Sequence, residues 1–270
     1  MIPKNVLQTW RSNSLPVIFQ KIKEVNQKTT EFQFQLWHHE QGEYNIDEFI
    51  KKEYNDLYEI YAKTQFGVQK ADMIRLILLY HYGGIYIDMD ILCLKSMETL
   101  IDFESNNVYL AMEPMEQTKK LYDNENVLCN AFIAGPAKHP FFKAALDEIK
   151  LIYQKLGDQI FRVFNIFGGD LLSKALTSSD DIYNSCKFVN RKLIYPINDP
   201  KFTDLSSSAD DAKMIKEGLY NNAYMVHYWI HSNFESRDIL EKFKYDETQN
   251  IHINMLQFFR VLYQKNHYLQ

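Results

Sequence analysis

Asp88 and Asp90 stand one residue apart at the end of the apolar run Ile85-Tyr86-Ile87, and they are the side chains in this sequence best placed to do chemistry. Two carboxylates this close repel each other. At the end of a buried strand they need a cation or hydrogen bonds to offset that repulsion. Mg²⁺ or Mn²⁺ suits such oxygen ligands, and Mg²⁺ commonly combines one or two carboxylates with the phosphates of a substrate. In an extended conformation the two side chains point to the same face. The pair reads as a site for a divalent cation and a phosphorylated ligand. The alternative is two acids that solvate a strand end or cap the next segment.

The residues just upstream bear on that choice. Residues 70–82 read as a helix whose broad apolar surface is interrupted by Asp72 and Arg75, which share one helical face at i,i+3 spacing. They read either as a surface ion pair or as an acid that takes sugar hydroxyls beside a guanidinium fork for phosphate. Gly83 and Gly84 then let the chain turn sharply and pass close to another segment.

Ala71-Asp72-Met73-Ile74-Arg75, followed by Leu79-Tyr80-His81-Tyr82-Gly83-Gly84-Ile85-Tyr86-Ile87-Asp88-Met89-Asp90, resembles the sugar-binding signature of the DXD glycosyltransferases of family 32. That group includes initiating mannosyltransferases and capsular polysaccharide sugar transferases, and the clostridial glucosylating toxin domains are similar at a distance. Ile2-Pro3-Lys4-Asn5-Val6-Leu7-Gln8-Thr9-Trp10 resembles the family's opening strand, with Leu7 where His is common. Val226-His227-Tyr228-Trp229-Ile230-His231-Ser232-Asn233 resembles its closing element, with His231 in place of Gly and Asn233 in place of Trp. Trp229 or Phe234 is left to supply the missing indole's contact with the diphosphate.

The resemblance implies a GT-A fold, which is α/β and Rossmann-like, with C-terminal helices. It also implies a set of roles. Asp88, Asp90 and Arg75 would be catalytic, with Asp88, Asp90 and His227 holding Mn²⁺ or Mg²⁺ and Arg75 assisting the leaving diphosphate. Trp10 would stack on the base, and Asp72 would orient the donor sugar. Tyr86, Asn130, Asp170 and Ser232 would contact donor or acceptor. Several of these carry ordinary alternatives: a core tyrosine for Tyr86, a strand-edge amide for Asn130, a helix N-cap for Asp170. His227 and His231 lie four apart, a spacing that does not force them to converge in a strand-to-loop segment, and His227 is the one expected at the metal. Trp37 is expected in the core.

Composition fits such an enzyme without singling it out. The chain of 270 residues is 46% hydrophobic, enough for one large core. A net charge of −5 argues against a broad nucleic-acid surface. The three cysteines, Cys93, Cys129 and Cys186, form no CxxC pattern, so neither a zinc site nor a disulfide framework is implied. No signal-peptide pattern opens the sequence and no apolar window reaches transmembrane length, so a cytoplasmic location is expected.

Strands are predicted at residues 4–8, 31–37, 108–112, 130–134, 188–195 and 223–228. Helices are predicted at 15–26, over 46–62 as one or two, and at 140–153, 171–176, 235–243 and 253–263. This alternation favours a layered α/β fold with ligands outside strand ends. Residues 1–234 would form the catalytic domain, and 235–270 a helical extension packed on it. The expected function is metal-dependent, retaining transfer of a sugar from a UDP- or GDP-sugar to a glycan, lipid-linked or protein hydroxyl. Two rivals stand beside it: a haloacid-dehalogenase-like phosphatase, which also places Asp-x-Asp after an apolar strand, and a glycan-binding protein with a vestigial site.

Overall fold

The computed structural model describes residues 1–64, 66–162, 167–199, 220, 222–230 and 237–266. Its centre is a six-stranded sheet in the order β2-β1-β3-β6-β5-β7, formed by β2 (Gln33–Trp37), β1 (Asn5–Thr9), β3 (Gly84–Ile87), β6 (Leu128–Gly135), β5 (Val108–Met112) and β7 (Cys186–Val189). β1 is parallel to both β2 and β3, while β6 runs antiparallel to its neighbours β3 and β5. A separate antiparallel pair joins β4 (Ile91–Cys93) to β8 (Met225–His227).

The strands bury both faces, and their alternation divides the side chains between two cores. Val6, Ile85 and Ile87 pack on one side with helix α1 (Val17–Thr30), the β4–β8 pair and the C-terminal helices Arg237–Lys242 and Ile251–Asn266. Leu7, Tyr86 and Ile133 pack on the other with α4 (Gly67–Tyr82) and α6 (Pro140–Leu156). Helix α4 is buried on almost every side, including Met73, Ile74, Leu76, Ile77, Leu78 and Leu79, because it is covered by sheet and helix together. No helix among the described residues is long and apolar enough to cross a membrane.

The layered α/β reading holds, and the structure shifts several elements. Residues 46–62 are two helices, α2 (Ile46–Glu53) and α3 (Asn55–Lys63), and α4 begins three residues earlier than predicted. The strand predicted at 188–195 is corrected: β7 ends at Val189, where the Asn190 side chain accepts from Lys192 N (3.0 Å) and caps the short helix α9 (Arg191–Ile194). Two short helices were not anticipated. α5 (Met115–Tyr122) starts after Pro114, and α8 (Asp180–Asn184) is capped by Ser179.

The glycine pair does what its position requires. Gly83 and Gly84 have φ of +64° and +104°, and together they reverse the chain from α4 into β3. A Cβ on Gly84 would sit 2.2 Å from Asn5 Oδ1 and 2.7 Å from Asn5 O, since β1 runs directly alongside. Gly84→Ala is therefore expected to lower unfolding free energy by about 2–3 kcal/mol, through overpacking plus backbone strain. Denaturant titration checks this, and a loss below ~0.5 kcal/mol, the range of ordinary surface changes, would show that β1 and β3 are not so closely apposed.

Candidate active site

The carboxyl ends of β1 and β3 open into one cleft of about 280 Å³, the place where parallel α/β sheets commonly bind ligands. Thr9, Trp10 and Arg11 enter it from the end of β1, and Asp88, Met89 and Asp90 from the end of β3. α4 adds Lys70, Ile74 and Arg75, and the segment after β8 adds Trp229 and Ile230.

The acidic pair is brought together differently from the expectation. β3 stops at Ile87, Asp88 N donates to Ala131 O (3.0 Å), and Ile91 N donates to Asp88 O (3.1 Å). Asp88-Met89-Asp90 is thus a tight turn, and the turn rather than strand alternation brings the carboxylates close. His227 joins them because β4 pairs with β8 in a register that sets Ile91 opposite His227. One ligand atom from each of Asp88, Asp90 and His227 lies within 4.8 Å of the others. Buried Asn26 holds β4 in place, its amide donating to Ile91 O (2.8 Å) while its oxygen accepts from Cys93 N (2.7 Å).

Each acid has its own counter-charge. Asp90 Oδ1 lies 3.1 Å from His227 Nε2, and Asp90 Oδ2 accepts from Ile230 N at 2.6 Å. Burial works to raise the Asp90 carboxyl, but the charge and hydrogen bond of His227, with the Ile230 amide, outweigh it and hold Asp90 below the usual carboxylate range. Burial likewise works to lower His227, and the neighbouring acids, Asp90 foremost, win and raise it. Asp88, half-buried, is pushed up by burial and by Asp90 against the pull of Arg75, whose Nη1 is 3.5 Å away.

Asp72 and Arg75 are no surface pair. Both are 4% exposed, and Arg75 Nη2 lies 3.0 Å from Asp72 Oδ1. The other guanidinium donors are also committed: Nε to Ala71 O (3.2 Å) and Nη1 to Asn130 O (2.5 Å), with the group stacked 4.7 Å from the Tyr86 ring centroid. Asn130 completes the network by donating from its side chain to Asp72 Oδ1 (2.8 Å). Desolvation raises Asp72 to about 6 despite its partner. Arg75 reaches the cleft wall, while Asp72 and Asn130 lie behind it and hold Arg75 against Asp88.

The remaining predicted residues divide. Trp10 lines the cleft, edge-on to Phe19 (5.1 Å), with the Arg11 guanidinium 5.2 Å from its ring centre. Tyr86 also lines it, with its hydroxyl 3.1 Å from Thr9 Oγ1. Trp37 is in the core, packed on Tyr44, Phe49 and Tyr82. Asp170 is exposed in the first turn of α7 (Gly169–Leu176) and does not line this cleft; the N-cap is Gly168, which corrects the capping alternative. Ser232, with His231, Asn233 and Phe234, lies outside the described residues.

Tyr61 and Lys70, 4.9 Å apart as cation over ring, line the cleft and were not anticipated; nor was Ile230. Ile230 acts through its backbone amide, for which an apolar side chain gives no signal.

Residues 17–107 match a protein family described as a glycosyltransferase sugar-binding region containing DXD motif. The chain is 29% identical over 154 residues to a mannosyl phosphorylinositol ceramide synthase of Saccharomyces cerevisiae, a match covering 56% of this chain and 35% of that protein. It is 26% identical over 192 residues to inositol phosphoceramide mannosyltransferase 1 of Schizosaccharomyces pombe, covering 70% of this chain and 52% of that one. The matched stretch therefore spans only about a third to a half of these relatives. Among solved structures, the galactosyltransferase LgtC in complex with donor and acceptor sugar analogs aligns with a TM-score of 0.50 at 14% identity, over 96% of this chain and 95% of that one. The resemblance read from the motifs stands, and the fold is of the GT-A type.

The buried network makes Arg75→Lys a test of its own. Lysine keeps the charge but cannot reach Ala71, Asn130, Asp72 and Asp88 together or stack on Tyr86. The expected result is a loss of about 2 kcal/mol of stability, on the scale of one or two hydrogen bonds to a charged group, read by thermal or urea unfolding. An unchanged melting curve would mean that Arg75 is held by far fewer contacts.

Proposed function

We propose that this chain, which carries the sugar-binding region of the DXD glycosyltransferases, transfers a hexose from a nucleotide-diphosphate sugar to a hydroxyl acceptor with the help of a divalent cation. The observation that carries the reading is the convergence of Asp88 and Asp90, from the turn between β3 and β4, with His227 of β8, distant in sequence, each group with its charge compensated. Two carboxylates and an imidazole suit Mn²⁺, and Mg²⁺ is the second choice because it favours an all-oxygen shell. His227 Nε2, 3.1 Å from Asp90 Oδ1, is the nitrogen nearest the carboxylates; it would hold the cation only after releasing the proton it shares with Asp90.

When bound, the cation would neutralise charge on the departing diphosphate. The protein's own groups do the rest. Arg75 keeps Asp88 aimed into the cleft and offers positive charge beside the leaving group. Trp10 offers an aromatic face for the base at the end of β1. Tyr86, fixed by Thr9 and Arg75, shapes the wall between them. The reaction follows the retaining course that the resemblance implies, with attack on the face the leaving group departs from, and no side chain is assigned as nucleophile.

The named relatives act on inositol phosphoceramide, and this favours a mannosyl donor with GDP and a lipid-linked polyol acceptor over a UDP-sugar with a glycan or protein acceptor. The three buried free cysteines support a reducing, cytoplasmic setting for this catalytic unit. Residues 1–234 form its catalytic part in this reading, and 235–270 extend it. The phosphatase reading loses ground, because the family match and the fold both point to sugar transfer.

Asp90→Asn and His227→Ala are each expected to weaken Mn²⁺ binding by about tenfold or more, the scale for losing a ligand or its support. Both should also abolish Mn²⁺-dependent donor hydrolysis. Calorimetry with Mn²⁺, followed by hydrolysis of a GDP-sugar and UDP-sugar panel, checks this. Full metal-dependent activity in either variant would remove the cation assignment. Accumulation of a phosphoenzyme would restore the phosphatase, and nucleotide binding without turnover would favour the vestigial site.

A further inference from the structure

Trp229 has φ of +54°, a left-handed conformation that a bulky residue rarely adopts because its Cβ crowds the following carbonyl. Such a residue persists where its surroundings over-determine it. Here the indole does so. It is 7% exposed, its Nε1 donates to Ile197 O (3.1 Å), and its ring packs 4.1 Å from that of His227 and 5.7 Å from that of Tyr195.

The backbone consequence falls on Asp90. Tyr228 N donates to the Asp90 main-chain carbonyl (3.1 Å), and Ile230 N donates to Asp90 Oδ2 (2.6 Å). A chain continuing in the direction of β8 would carry Ile230 onward along the edge. The left-handed residue between these two amides curls it back onto the same aspartate. An amide-to-carboxylate hydrogen bond is among the stronger ones a protein makes and offsets the conformational cost. With Oδ2 tied, Asp90 has one fixed orientation and presents Oδ1 beside His227 Nε2.

We propose that Trp229 is a positioning residue: its left-handed backbone, locked by the buried indole, aims the Ile230 amide at Asp90 and so presets the carboxylate for the cation. The inference rests on the reading of Asp88, Asp90 and His227 as the cation site. It assigns Trp229 a part that acts through the main chain, separate from any contact its indole makes with a diphosphate. Preorganising a ligand in this way raises affinity by removing the need to order it on binding.

The test compares Trp229→Gly, Trp229→Asn and Trp229→Ala, which all remove the indole but differ in their tolerance of the left-handed region. Glycine enters it freely, asparagine readily, and alanine poorly. Mn²⁺ affinity by calorimetry is expected to fall about tenfold or more in the Ala variant. It should fall only about two- to threefold in the Gly variant, with Asn between them. Equal affinities in the Ala and Gly variants, whether both weak or both like wild type, overturn the proposal, because indole packing or nothing at all would then be the cause. If the Ala variant does not fold, hydrogen exchange of the Ile230 amide in the wild-type protein decides. Strong protection, lost in Asp90→Ala, supports the proposal, and exchange at the rate of an open loop overturns it. Wild-type protein that binds no Mn²⁺ overturns the cation site itself, and this inference falls with it, whereas wild-type binding with no Ala–Gly difference overturns the inference alone.

Discussion

Two carboxylates at the mouth of a buried strand can persist only if counter-charges are built in beside them, and much of this fold serves that requirement. Removing one partner of a buried ionic pair typically costs about 3–5 kcal/mol, because the charge left behind is neither solvated nor paired. Arg75 answers Asp88 from one side and His227 answers Asp90 from the other. Neither is free to wander. Arg75 is fixed by Asp72, by the carbonyls of Ala71 and Asn130 and by the face of Tyr86, and His227 by the pairing of β8 with β4.

The same requirement accounts for features that look wasteful in isolation. Asp72 is kept in a place that raises it to about 6, an unfavourable site for an anion, because without it the Arg75 guanidinium would itself be short of a partner. The glycine pair gives up helix and strand propensity so that β3 can run against β1 with Asn5 in the space a side chain would fill. Both arrangements trade local preference for placement, the pattern expected near a functional site.

Much of this was legible in the sequence because it is written in side-chain type and short spacing. The Asp-x-Asp pair, the i,i+3 pair of Asp72 and Arg75, the Gly-Gly turn and the apolar alternation of β1 and β3 are all local signals. Burial of the Asp72–Arg75 pair was not legible. An i,i+3 ion pair reads as exposed until one knows that α4 is covered on both sides. The strand predicted through residue 195 failed for a related reason: apolar residues flank Asn190-Arg191-Lys192 on both sides, in Phe188-Val189 and Leu193-Ile194-Tyr195, and only the cap made by the Asn190 side chain shows where the strand ends. The Ile230 amide and the left-handed Trp229 backbone leave no trace in residue type, since the main chain carries both.

The β4–β8 pairing also sets an order of events. Asp90 and His227 are 137 residues apart, so the two halves of the site meet late in folding. The entropy of closing so long a loop grows only logarithmically and costs little extra stability, but distant strand pairings form slowly. At typical synthesis speeds of roughly 5–20 residues per second, β4 waits on the order of ten seconds for its partner strand. Asn26 on α1, 65 residues before Ile91 and so already synthesised, holds Ile91 O and Cys93 N on the edge of β4 that faces away from β8. A buried asparagine that looks like simple scaffolding thus closes one edge of β4 early in the nascent chain and leaves open only the edge that β8 will fill.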